Sequence, residues 1–266
     1  MSNLSPQQLP STWDSVAESY TANIAPVFER YADDALKIVS PDKRVLDVAT
    51  GPGTLALIAA ARGHEVTAID FAPSMLERLE AEARRRHCAL KVSVGDGTAL
   101  PLPDAAFDDA FSMFGLIFFP DRVKGFSELK RVVRPGGQVL ISSWAPFERI
   151  PFFAAFYEAL MNMFPMPGGA PKPVLSTPED CLREFREAGF IDVQVHERAH
   201  AFEAVSFDAY WSWFPAACAP LSAMGKNLGD KYPAVLDELK KRIKSQLGAG
   251  PLRVEMPALL TCGTRP

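Results

Sequence analysis

Apolar positions along the chain recur at two periods that alternate. After a polar start, residues 15–39 follow a helical period: Ser15 and Glu18 have the spacing of a capping box, and Pro26 suits the opening of a second helix. In that helix Val27, Phe28, Tyr31, Ala35, Leu36 and Val39 share one face, and Ser40-Pro41 ends it. From there short apolar runs and amphipathic stretches take turns. Strands are predicted at Val45 to Ala49, Val66 to Ile69, Leu90 to Val94, Asp109 to Met113 and Val139 to Trp144. Helices are predicted at Thr54 to Arg62, Pro73 to Arg86 and Arg122 to Val133. Strands spaced by single helices imply a parallel, doubly wound α/β sheet.

The second half departs from this alternation. Residues 146–177 hold a very apolar helix, Phe152 to Phe164, then a loop rich in Pro and Gly. Thr177 opens another helix that ends at Gly189, Ile191 to Val195 alternates as a sixth strand, residues 206–250 turn helical, and Met256 to Cys262 forms a seventh strand. The last strand must rejoin the sheet to pair its backbone groups. The two helical segments, 146–177 and 206–250, therefore read as insertions roofing one domain that spans residues 1–266.

Composition narrows the function. Hydrophobic residues make up 48% and charged residues 23%, as in an ordinary globular protein. The net charge of −4 offers no general attraction to nucleic acid or anionic membrane. No apolar run is long enough to span a membrane. The start, MSNLSPQQLPS, lacks the pattern of a secretory signal. Cys88, Cys181, Cys218 and Cys262 form no Cys-x-x-Cys pair, so neither a disulfide framework nor a metal site is expected. A cytoplasmic protein with a small-molecule partner is the expectation; oligomeric state is not readable.

The candidate chemistry sits at strand ends. Asp47 lies inside the run leading to Gly51 and Gly53, glycines that let backbone approach a ligand at the switch point of a sheet. A carboxylate there sits badly beside a pyrophosphate and suits a ligand carrying ammonium and sulfonium charge. Asp70 closes the second strand 17 residues after Gly53, where an acid can accept from ribose hydroxyls. Phe71 and Met75 follow at a spacing that can flank an adenine, and Asp96 closes the third strand. Arg134-Pro-Gly-Gly137 turns into the fifth strand.

In order and spacing VLDVATGPGTLAL, VTAIDFAPSML, VGDGTALPLPDAAFD, SMFGLIFFPD and LKRVVRPGGQVLISSW resemble the class I S-adenosylmethionine-dependent methyltransferases, in particular their ubiquinone/menaquinone-biosynthesis-like branch. TWDSVAESY resembles that family's N-terminal helical lid, here residues 1–43, before a cofactor-binding core at 44–145. The resemblance implies a mostly parallel seven-stranded Rossmann-like sheet and S-adenosyl-L-methionine as cofactor. It assigns Asp47, Ala49 and Gly51 to the methionine amino group, Gly53 to clearance beside the cofactor, and Asp70 to the ribose. Phe71 and Met75 would pack the adenine, Asp96 and the Gly97 backbone would bind its polar edge, and Ser112 and Met113 would lie near the sulfonium. Ala56 stands at the third glycine position, and no Asn-Pro-Pro-Tyr follows the fourth strand, which argues against amino-methyltransferases of adenine or glutamine.

For the acceptor, Tyr20, Phe114, Trp144, Tyr157 and Trp211 are candidate contacts, with Ile117, Phe118 and Phe119 beside them; each could equally be a packing residue. His196 and His200 are candidate bases or solvated side chains. The expected reaction is in-line methyl transfer to a small, aromatic or lipophilic acceptor. Two rivals stand beside it. A nicotinamide-dependent oxidoreductase would use the same glycine turn, but at the Tyr-x-x-x-Lys spacing Tyr157 is followed by Met161. A catalytically silent cofactor-binding protein is the other.

Overall fold

The computed structural model describes residues 4–164 and 172–266; part of the expected Pro/Gly-rich loop, 165–171, lies outside them. The five expected strands of the first half are β1 (Arg44–Val48), β2 (Glu65–Asp70), β3 (Lys91–Val94), β4 (Asp109–Ser112) and β5 (Gln138–Trp144). With β6 (Ile191–Ala204) and β7 (Leu252–Thr264) they form one sheet in the order β3-β2-β1-β4-β5-β7-β6. β1 to β5 run parallel, and β7 is antiparallel to both β5 and β6.

Alternate residues of each strand feed opposite faces. Val45, Val66, Phe111 and Leu140 join one buried cluster, while Leu46, Ile69, Ala110 and Ile141 join the other. Burial on both faces is why these strands read as continuous apolar runs. The first face is covered by helices α3 (Ala25–Val39), α4 (Thr54–Ala61) and α5 (Pro73–Arg86); the second carries α6 (Arg122–Val132) and α8 (Pro178–Glu187). From β1 the chain builds outward through β2 and β3 on one side, then crosses back to lay β4 on the other, so the connections diverge at β1. A crevice opens past the carboxyl ends of β1 and β4.

Ahead of the sheet lie α1 (Pro10–Asp14) and α2 (Ala17–Asn23). Ser15 does not cap α2. The backbone is already helical at that residue, and its hydroxyl turns back to donate to the Thr12 carbonyl at 2.7 Å. The last two strands are longer than their apolar runs suggested. β6 carries on through His196 to Ala204 and pairs along its length with β7. The expected alternation at its start is broken by a bulge at Asp192, whose φ is 52°. Ile191 is thereby exposed while Val193 and Val195 pack inward. Between β6 and β7 run α9 (Phe207–Trp211), α10 (Phe214–Ala217), α11 (Ala219–Leu228) and α12 (Tyr232–Leu247), and α12 packs on α7 (Pro151–Met163). No helix of the described residues is long and apolar enough to cross a membrane.

Candidate active site

The loop after β1 reverses direction through three left-handed residues, Ala49 (φ 56°), Gly51 (φ 56°) and Gly53 (φ 88°). Glycine takes this region freely, whereas at Ala49 the conformation is strained and must be held by its surroundings. Two anchors do so. The Thr50 N–H donates to the Ile69 carbonyl at 3.0 Å, and the Gly51 N–H donates to Asp70 Oδ2 at 2.8 Å.

Asp70 is the hinge of the arrangement. Its Oδ1 accepts the Ala72 N–H at 2.9 Å, so one carboxylate fastens the glycine loop to the turn entering α5. Each oxygen keeps a further lone pair, and the residue borders a cavity of about 210 Å³. Burial raises its pKa to about 6, against the pull of its backbone hydrogen bonds.

Asp47 stands behind the loop and outside the cavity wall. Its Oδ2 accepts from Thr50 Oγ1 at 2.6 Å and from the Ala56 N–H at 3.2 Å, while the buried Oδ1 has no protein partner. Burial pushes its pKa to about 7. Gly53 also stays off the cavity. A Cβ there would lie 2.1 Å from Leu79 Cδ1, so this glycine lets α4 approach α5.

Ala49, Gly51, Asp70, Phe71 and Met75 line one side of the cavity, with Asp96, Gly97 and Met113 continuing the wall. Asp96 Oδ1 accepts the backbone and hydroxyl hydrogens of Thr98, each at 2.8 Å, leaving its other oxygen uncommitted. At Gly97 a Cβ would meet the Phe119 ring at 2.3 Å. Ser112 is fully buried beneath the wall, its hydroxyl accepting the Leu116 N–H at 3.1 Å.

The N-terminal helices close the other side. Tyr20 and Phe114 line the cavity together with Trp13, Gln8 and Leu4. Trp13 sets its ring edge against Phe118 at 5.1 Å and lies 6.2 Å from Tyr20, and its indole donates to the Gln7 carbonyl at 2.8 Å. Asp14 Oδ1 accepts the Ser74 N–H at 2.8 Å, tying this segment to the first turn of α5. Burial, with the charge of Asp70 nearby, raises the Tyr20 pKa, so its phenol stays protonated.

The other expected acceptor contacts lie elsewhere. Trp144 is stacked on the far side of Phe114, Tyr157 stacks on Phe147, and Trp211 stacks on Phe207. None lines the cavity. Nor does either histidine. His200 Nε2 is paired with Asp34 at 2.8 Å, and the His196 pKa is lowered by its partial burial and by Arg198.

A family model described as a methyltransferase domain matches residues 46–141, the span holding the glycine loop, Asp70 and Asp96. Demethylmenaquinone methyltransferase of Beutenbergia cavernae is 35% identical over 193 residues, covering 67% of this chain and 75% of that relative. The chain belongs to the class I S-adenosylmethionine-dependent methyltransferases. Within that family it falls in the menaquinone-like branch. An uncharacterized protein of Mycobacterium tuberculosis is 36% identical over 129 residues, 48% of this chain and 45% of that protein, so the chain spans less than half of that relative. The fold is shared with the YcgJ protein of Bacillus subtilis: the TM-score is 0.57 at 20% identity, covering 88% of this chain and 97% of the other.

The methyltransferase motifs contained Trp13, Gly95, Gly115 and Pro120 without giving them a role, and Leu4 and Gln8 lay outside them; all six are in the wall. For Trp13 a signal was present, a large aromatic in an otherwise polar opening segment. For the glycines the signal is steric: a Cβ at Gly115 would lie 2.3 Å from the Ala49 Cβ.

Proposed function

We propose that the protein transfers a methyl group from S-adenosylmethionine to a small aromatic or lipophilic acceptor. The observation that carries this reading is Asp70, a buried carboxylate at a strand end that faces the cavity while holding the glycine loop. The residues present fit the cofactor: free acceptor capacity on Asp70 and Asp96, an unpartnered Asp47 Oδ1 beneath the loop, and backbone at Gly97 and Gly115 bordering the cavity without side chains. Asp70 would hold the ribose, Phe71 and Met75 the adenine faces, Asp96 and Gly97 the adenine edge, and Ala49 and Gly51 the amino-acid end, with Met113 beside the reacting centre. Bound there, the cofactor supplies a sulfonium-activated methyl group.

The work left to the chain is positional. Holding two reactants in line and excluding water can lower a barrier by about 7–11 kcal/mol, and Trp13, Tyr20 and Phe118 form the cover that excludes it. Among the described lining residues the carboxylates are Asp70 and Asp96, both assigned to the cofactor, and Tyr20 stays protonated. Among the described residues no lining side chain is left to act as a general base, so the acceptor brings its own ionised or basic nucleophile. The acceptor side of the wall, with Leu4, Trp13, Phe114 and Phe118, favours an apolar ring. The relative in Beutenbergia cavernae, named for a quinone acceptor, supports the same class.

Calorimetric titration with S-adenosylhomocysteine and, separately, NADH tests the assignment. Binding of the first, strongly weakened in Asp70→Ala, together with silence from the second is the expected result. NADH binding without any S-adenosylhomocysteine signal would put a nicotinamide oxidoreductase in its place.

A further inference from the structure

We propose that Phe114 sets the size of the acceptor that the cavity admits, an inference resting on the methyl-transfer reading above. Phe114 follows Met113 at the end of β4, and its ring divides two spaces. One side belongs to the cavity wall. The other lies face to face on Trp144, 3.9 Å between centroids with planes 11° apart, and beside Phe28 and Tyr31 at 4.7 and 5.3 Å. Those three aromatics do not line the cavity. The Phe114 ring is therefore the partition between the cavity and a buried aromatic layer.

The partition is held from three directions. Its φ of 55° is one that a bulky side chain rarely adopts, so the backbone must be fixed by its neighbours. The Phe114 N–H donates to the buried Ser142 hydroxyl at 2.8 Å. At the adjacent Gly115 the chain presses so closely on the glycine loop that a Cβ would lie 2.3 Å from the Ala49 Cβ, which blocks movement that way. The layer behind is pinned as well. The Tyr31 hydroxyl accepts the His200 N–H at 3.0 Å and donates to the Met256 carbonyl. With the ring removed, the layer keeps its place, and the cavity gains a slot walled by the flat face of Trp144. That slot suits a second fused ring.

The test compares phenol with 2-naphthol on wild type, Phe114→Gly and Phe114→Leu, by calorimetry in saturating S-adenosylhomocysteine. Glycine removes the ring and also relieves the left-handed backbone; leucine removes less and guards against a glycine variant that fails to fold. The preference for 2-naphthol over phenol is expected to rise about tenfold in the glycine variant and by less in the leucine variant. An unchanged preference in a folded variant would overturn the role of Phe114. A purely structural residue would lower stability without moving that ratio. Titrating S-adenosylhomocysteine into wild type separates the two levels: no binding defeats the methyl-transfer reading and this inference with it, whereas binding with an unchanged ratio defeats this inference alone.

Discussion

Acidification should weaken cofactor binding through Asp70, and the size of the effect follows from its surroundings. Burial raises its pKa from the ordinary carboxylate range to about 6, so the empty protein at neutral pH holds an ion that its environment disfavours. A ligand whose hydroxyls donate to that carboxylate stabilises the charged form and lowers the pKa on binding. Affinity is then greatest above pH 7 and falls as the pH drops through 6. At pH 5 about one-tenth of Asp70 is ionised, so binding of S-adenosylhomocysteine weakens about tenfold relative to pH 7.5, or about 1.4 kcal/mol. Near pH 6 binding releases a fraction of a proton, which calorimetry in buffers of different ionisation enthalpy measures directly. Asp70→Asn supplies the control. Its amide keeps one acceptor for the Gly51 and Ala72 N–H groups and loses the other, so affinity is lower throughout and this part of the pH slope vanishes. Equal affinity of wild type at pH 7.5 and 5, or identical slopes in wild type and Asp70→Asn, would refute the reasoning.

Three further outcomes are expected. The Asp47 pKa is raised to about 7, so ionised Asp47 penalises the fold above that pH, and the penalty disappears as the pH falls below the unfolded value near 4. Asp47→Asn keeps an acceptor for Thr50 and Ala56, and urea unfolding should show it more stable than wild type by up to about 4 kcal/mol at pH 8 with no gain at pH 4; a gain independent of pH contradicts the account. Gly53→Ala adds a Cβ 2.1 Å from Leu79 Cδ1 at a φ of 88° and should cost about 1–3 kcal/mol in thermal unfolding, a wild-type melting curve being the contrary result. Trp13→Ala removes the edge contacts with Phe118 and Tyr20, so stopped-flow measurement should find S-adenosylhomocysteine leaving roughly tenfold faster, and an unchanged rate would end the case for a cover.

What was legible in the sequence depended on how each residue earns its place. β1, β2, β4 and β5 are buried on both faces, so their apolar runs stand out, and Gly51 and Gly53 announce a turn because glycine takes left-handed backbone without strain. Ala49 and Phe114 adopt the same backbone region, yet their side chains announce nothing. Their conformations are imposed by Asp70 on the loop and by Ser142 of the neighbouring β5, partners distant along the chain. The polar half of β6 was hidden for a related reason: its pairing is with β7 alone, and solvent on its free side leaves residues such as Glu197 and Glu203 in place. Trp144, Tyr157 and Trp211 show the limit most plainly. An apolar period reports that a side chain leaves water, but not whether it meets a ligand or another ring. Trp144 meets Phe114 at 3.9 Å, one ring removed from the cavity. Asp47 poses the same ambiguity in polar form. Its place inside an apolar strand required a partner, and the partners of one oxygen are Thr50 of the loop and Ala56 in the first turn of α4. The other oxygen is buried without a protein partner, so the carboxylate steadies the loop from behind with one acceptor unused.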